Sequence, residues 1–168
     1  MKLRHRLYNV IFPIWLIWLF PPILVLVAPA NLAVDCLVLA LTLSALKHPD
    51  KKGVLKALWW KVWLLGFGAD LVGAGWMYLG LWLADVLPGQ WWDAGFHLAY
   101  APFLHPASLL WTLAGVALAG GCIYLFDRCV MNRCPLLTRA QARTGALVLA
   151  VVTAPWLFFL PLYGPLNG

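Results

Sequence analysis

The chain contains no glutamate, and its 168 residues carry only six aspartates against twelve lysines and arginines. Charged residues make up 11% of the chain, where an ordinary soluble domain has about a quarter. That scarcity leaves too little polar surface for a water-soluble fold and too little polar sequence for a second domain. The four cysteines, Cys36, Cys122, Cys129 and Cys134, form no CxxC pair. Cys36 and Cys122 lie in apolar runs and Cys129 and Cys134 in a basic loop, so free thiols are expected rather than a disulfide framework. No long stretch alternates polar and apolar residues with period two, which excludes a lipid-facing β-barrel.

What is present is apolar. Hydrophobic residues make up 64% of the chain and the mean hydropathy is +0.85. Crossing the hydrocarbon layer takes about 20 mostly apolar residues, and in that medium an unbroken apolar run satisfies its backbone as a helix. The expected fold class is all-α: an integral membrane protein of one polytopic domain, 1–168. It has five transmembrane helices, at about 10–28, 31–46, 62–84, 107–126 and 144–163, the last kinked near Pro155.

A basic leader (1–9), an apolar core and Ala28-Pro29-Ala30 together have the layout of a signal peptide. The length of the core, Trp15, Trp18 and the Pro21-Pro22 break favour a retained first span, with a tight turn at Pro29 to Asn31 leading into the second. Two interfacial amphipathic helices complete the scheme. An inner one, Val54 to Trp63, carries Trp59, Trp60 and Trp63 at headgroup level. An outer one falls within 85–106, which is rich in aromatics and free of lysine and arginine.

The scheme puts all twelve basic residues on one side: Lys2, Arg4, Arg6, Lys47, Lys51, Lys52, Lys56, Lys61, Arg128, Arg133, Arg139 and Arg143. By the bias of basic loops toward the cytoplasm, the N-terminus is expected inside and the C-terminus outside a plasma (inner) membrane. The net charge of +6 then reflects orientation and anionic lipid, with a lipid-facing rim of Lys51, Lys52, Lys56, Lys61, Arg139 and Arg143. Nucleic acid is not an expected partner.

Of the aspartates, Asp35, Asp50, Asp85, Asp93 and Asp127 fall in loops or near span ends. Asp70 alone lies deep within a span, about 13 Å from Lys61 at 1.5 Å per residue. A charge at the bilayer centre costs at least about 2.5 to 3.5 kcal/mol, so such groups face a protein interior or a wet cavity. With no basic residue in the spans to neutralise it, Asp70 must hold a proton, meet a cation or bond a neighbouring helix. Gly66, Gly68, Gly73 and Gly75 surround it. Gly66, Asp70, Gly73 and Met77 share one helical face, which permits close helix approach, and Ala114, Ala117 and Gly121 offer a matching face on the fourth span. Asp35, close to Asn31, is either the outer partner of Asp70 in a polar track or a solvated acid at a helix start.

Intramembrane enzyme chemistry has weaker support. Gly66-Phe67-Gly68-Ala69-Asp70 is one residue longer than the Gly-x-Gly-Asp of intramembrane aspartyl proteases, and Asp35 has no supporting motif. Asp93, His97 and His105 are weak metal candidates; no cofactor is expected. His48-Pro49-Asp50 reads as a proline turn. The leading expectation is a small transporter or channel, or a membrane subunit of one, for protons, a monovalent cation or a small cationic solute. Asp70, Asp35, Asn31 and the four glycines form its site, and a homo-oligomer is expected because five short helices barely enclose a pathway. The alternatives are a non-catalytic scaffold or regulatory subunit that binds a partner protein or anionic lipid and, last, an intramembrane enzyme.

Overall fold

The computed structural model describes residues 21–86 and 102–160. Among these the secondary structure is helical, with no strand: α1 (Pro21–Ala45), α2 (Lys51–Val86), α3 (Pro106–Asn132), α4 (Arg139–Val152) and a 3-10 turn (Trp156–Phe159). Four segments are long and apolar enough to cross a membrane: Val27–Ala45, Lys51–Leu83, Pro106–Asn132 and Arg139–Phe159. Their outward faces present Leu37, Leu41, Leu64, Leu71, Leu110, Leu118, Leu125, Leu147 and Val151. Lipid tails suit such a surface and water does not, so the architecture fits a membrane location.

Each helix end has a physical cause. At the end of α1, Lys47 takes a left-handed conformation (φ 51°). This lets His48 N–H donate to Leu43 O at 2.9 Å and Lys47 N–H to Ser44 O at 3.0 Å, the paired bonds of a Schellman stop. The Asp50 carboxylate accepts from Gly53 N–H at 2.9 Å and caps the start of α2. His105 caps α3, accepting from Ala107 N–H through Nδ1 at 3.2 Å, with Pro106 at the first helical position. Thr138 and Gln141 form a reciprocal capping box at α4. Pro155 prevents α4 from continuing, and the chain resumes as the 3-10 turn.

The buried His48 ring joins two loops. Its Nδ1 accepts from Asp50 N–H at 3.2 Å, so Nε2 carries the proton and donates to Leu136 O at 2.8 Å. The α1–α2 and α3–α4 loops therefore lie at the same end of the bundle. Every lysine and arginine among the described residues falls in these loops or within about three helical turns of them.

Small residues set the seam between α2 and α3. A Cβ built on Gly73 would stand 2.9 Å from the Ala119 methyl, one on Gly115 3.0 Å from Trp76, and one on Gly80 2.9 Å from Trp111. The register is antiparallel, and above it Trp76 stacks on Trp111 (ring centroids 4.5 Å apart) while donating to its carbonyl at 3.1 Å. Between α3 and α4, Gly145 admits Met131, and Gly120 lies 3.3 Å from Ala150 O by the same measure.

Several expectations are corrected. No tight turn interrupts Pro29–Asn31: α1 runs through it with Pro29 inside the helix, because an apolar helix in a packed bundle tolerates the lost backbone bond. Most of the expected first span, 10–28, lies outside the described residues, among which four segments are long and apolar enough to cross a membrane. Val54–Trp63 is not a separate interfacial helix but the first part of α2, whose Val54, Leu58 and Val62 are buried in the bundle. The helix expected over 107–126 continues to Asn132. Ala114, Ala117 and Gly121 are exposed; the face that meets α2 is Gly115, Val116 and Ala119. Most of the stretch expected to form the outer interfacial helix, 87–101, lies outside the described residues.

Candidate functional site

The α2 helix places Asp70 near its middle, 19 residues from Lys51 and 16 from Val86. One face of α2 brings Gly66 against α1, where a Cβ would lie 3.6 Å from Asp35 Oδ2. Asp35 thus sits ten residues from the end of α1, in mid-helix and 7% exposed. It is not a solvated acid at a helix start; the sequence supports that reading only if Pro29 begins a new helix. Trp63 Nε1 donates to Ala28 O at 3.0 Å, whereas a strictly antiparallel pair would carry Ala28 toward Gly73. The early part of α1 therefore crosses α2 obliquely, which opens space beside Asp35.

That space is a cavity of about 270 Å³. Asn31, Val34 and Asp35 line it from α1, Gly66 and Asp70 from α2, Ile123 from α3, and Val152 to Leu157 from the end of α4 and the segment beyond. Two carboxylates, an amide and a glycine backbone thus meet where α4 ends. Thr153 is taken up by its own helix, donating to Leu149 O at 2.9 Å, and Trp156 Nε1 donates to Val151 O at 2.9 Å. Asp70 Oδ1 is buried without a hydrogen-bond partner.

A third carboxylate belongs to this interior. Asp127, expected in a basic loop, is inside α3 and 1% exposed, and neither of its oxygens has a hydrogen-bond partner. Ile123, one turn before it on the same buried face, lines the cavity; Met131, one turn after it, is in the core. Asp35 and Asp70 line the same cavity, and Ile123 carries the buried face of α3 from that cavity to Asp127. The signal for Asp127 was present in the sequence: Ile123, Asp127 and Met131 recur every four residues, the spacing of one buried helical face. The adjacent Arg128 obscured it.

No cation answers these acids among the described residues. Lys61 lays its ammonium over the Trp60 ring (5.7 Å to the centroid) and lines a separate groove of about 370 Å³ with Arg133. Arg128 donates to Tyr124 OH at 3.2 Å. Neither forms an ion pair with a carboxylate.

The other candidates divide. Asp70, Asp35, Asn31 and Gly66 are brought together. Gly73 serves the α2–α3 seam, and Gly68 and Gly75 face open space, with nothing within 4 Å of a built Cβ. Asp93 and His97 lie outside the described residues, and His105 is a helix cap. Among the described residues no three histidine, cysteine or acidic side chains cluster as metal ligands. Lys51, Lys52, Lys56, Arg139 and Arg143 are exposed at the end of the bundle that holds the two joined loops.

Fold and site together define a class: a helical bundle of membrane-spanning type with unpaired acids inside it. Beyond that class, no protein-family model, curated protein or solved structure matches the chain.

Proposed function

We propose that the protein is a small membrane transporter or channel, or a membrane subunit of one, that passes protons, a monovalent cation or a small cationic solute by way of Asp70 and Asp35. The observation that carries this reading is the cavity that two carboxylates share without a basic partner. An apolar bundle gains nothing in stability from such a pair, since each buried charge costs several kcal/mol unless matched. A cation entering the cavity would supply the missing charge, and Asn31 would contribute a neutral oxygen ligand. Gly66 keeps the α2 backbone close to Asp35 and leaves room for the passing ion.

The basic end of the bundle is assigned to the cytoplasm of a plasma membrane, following the bias of Lys and Arg toward cytoplasmic loops. With few helices to enclose a pathway, assembly into a homo-oligomer is part of the proposal. The second reading is a non-catalytic subunit that holds a partner protein or an anionic lipid; the groove between Lys61 and Arg133 favours it.

Flux into proteoliposomes separates the two. Asp70→Asn should abolish cation or proton flux while the protein elutes at the same size and keeps its helical signal. If flux is unchanged, or if assembly is lost instead, Asp70 is a structural residue and the transport reading fails.

A further inference from the structure

We propose that Asp127 is an internal proton-binding site, occupied by a proton in this conformation and emptied by transfer to Asp35. Its link to flux rests on the transport reading above; its occupancy does not.

The case begins with enclosure. Asp127 is 1% exposed and both carboxylate oxygens lack a donor. An isolated anion in such surroundings is so unfavourable that a carboxyl group takes up a proton instead. The neighbouring helices offer no alternative. The antiparallel register that seats Gly73 on Ala119 brings Asp127 level with Leu65 of α2, eight residues further on. The contacts of Gly145 with Met131 and of Gly120 with Ala150 bring it level with Ala146 to Leu149 of α4.

From α2 the buried face is Leu58, Val62 and Ala69, with Asp70 in the cavity and Lys61 turned onto Trp60. From α4 it is Ala142, Gly145, Ala146 and Leu149, none of them titratable, and Arg139 and Arg143 are exposed. From α1 come Asp35, the half-buried Cys36, and Thr42, whose hydroxyl donates to Val38 O at 2.8 Å. On α3 itself Arg128 is bound to Tyr124. Beyond its end Cys134 is buried and the His48 ring is bound to Leu136 O. Among the described residues the charged groups facing Asp127 are therefore carboxylates, and no cation is placed to pair with it.

Proximity to the cavity gives the proton an exit. Ile123 separates Asp127 from the cavity by one helical turn, and Asp35 is exposed to it. When water from the cavity bridges that turn, the Asp127 O–H bond breaks and an O–H bond forms on Asp35. Asp127 is left as the anion and Asp35 becomes neutral. The number of charges inside the bundle is unchanged, so the step needs no further counter-ion. Binding of a cation beside Asp35 and Asp70 would oppose this transfer and loss of that cation would favour it, which couples the cation to the proton.

Two measurements test this. Infrared spectra of the reconstituted protein at neutral pH should contain a neutral carboxylic acid C=O band that is missing in Asp127→Asn, a near-isosteric change that keeps the fold. Proton entry into liposomes, driven by a potassium diffusion potential and followed with an internal pH dye, should fall by roughly a hundredfold in the same variant. Asp127→Glu should partly restore it. An unchanged infrared band in Asp127→Asn overturns the proton site. An altered band with wild-type proton entry overturns the transfer to Asp35. Wild-type protein that shows the band yet passes neither protons nor cations sinks the transport reading and leaves the proton site standing.

Discussion

The α2 helix meets its neighbours along two faces built in opposite ways. Toward α3 it is closed: Gly73 and Gly80 let Ala119 and Trp111 approach to the limit of contact, and Trp76 stacks across the seam. Toward α1 it is open: even a Cβ on Gly66 would reach Asp35 only at ordinary contact distance, and the cavity begins there. The same residue type serves both faces. Glycine against a methyl or a ring draws helices together by dispersion. Glycine against a carboxylate keeps room for something that the two helices do not supply.

The strongest way to break this contrast is Gly73→Leu. No neighbouring atom can retreat far, since the nearest is the Ala119 methyl and the next is the Phe158 ring at 3.0 Å. Overpacking of this kind costs about 1 to 3 kcal/mol, and more when backbone must shift. Thermal unfolding in detergent should show the protein failing to fold or melting well below wild type, with flux lost alongside.

Gly66→Ala sharpens the contrast. A methyl group there meets Asp35 Oδ2 at 3.6 Å, ordinary van der Waals contact, so the melting temperature should stay within a few degrees of wild type. The cavity, however, narrows beside the acid. Flux or apparent cation affinity should change, and a variant with wild-type transport would show that Gly66 does not shape the pathway. The smallest effect belongs to Gly68→Ala and Gly75→Ala, where nothing lies within 4 Å. Alanine favours the helix over glycine by about 1 kcal/mol, so both variants should be as stable as wild type or slightly more so, with transport unaltered.

Much of this was legible in the sequence, and the failures share a physical origin. Composition alone pointed to helices long and apolar enough to cross a membrane, and the apolar run around Asp70 pointed to its position near the middle of α2. The four glycines around it read as one group, yet residues two apart point to different sides of a helix: Gly66 and Gly73 face neighbours while Gly68 and Gly75 face outward. Ala114, Ala117 and Gly121 have the right residue sizes but lie on the wrong side of α3 from Gly115 and Ala119. Pro29 read as a stop because proline ends helices in water, and this error displaced Asp35 from mid-helix to a helix start. Asp127 was lost to its neighbour: Arg128 is solvated at the surface, whereas the residue before it points into the core. Where a helix leaves the hydrocarbon layer, the charge of one residue says little about the side on which the previous one lies.

The imidazole of His48 has a mechanical consequence. Because it fastens one interhelical turn to the other, sliding of the two hairpins past each other at that end would first have to break this bond. A motion that widens the acidic chamber while this bond holds pivots about it. The travel is then greatest at the far rim, where Pro155 has already interrupted the fourth helix.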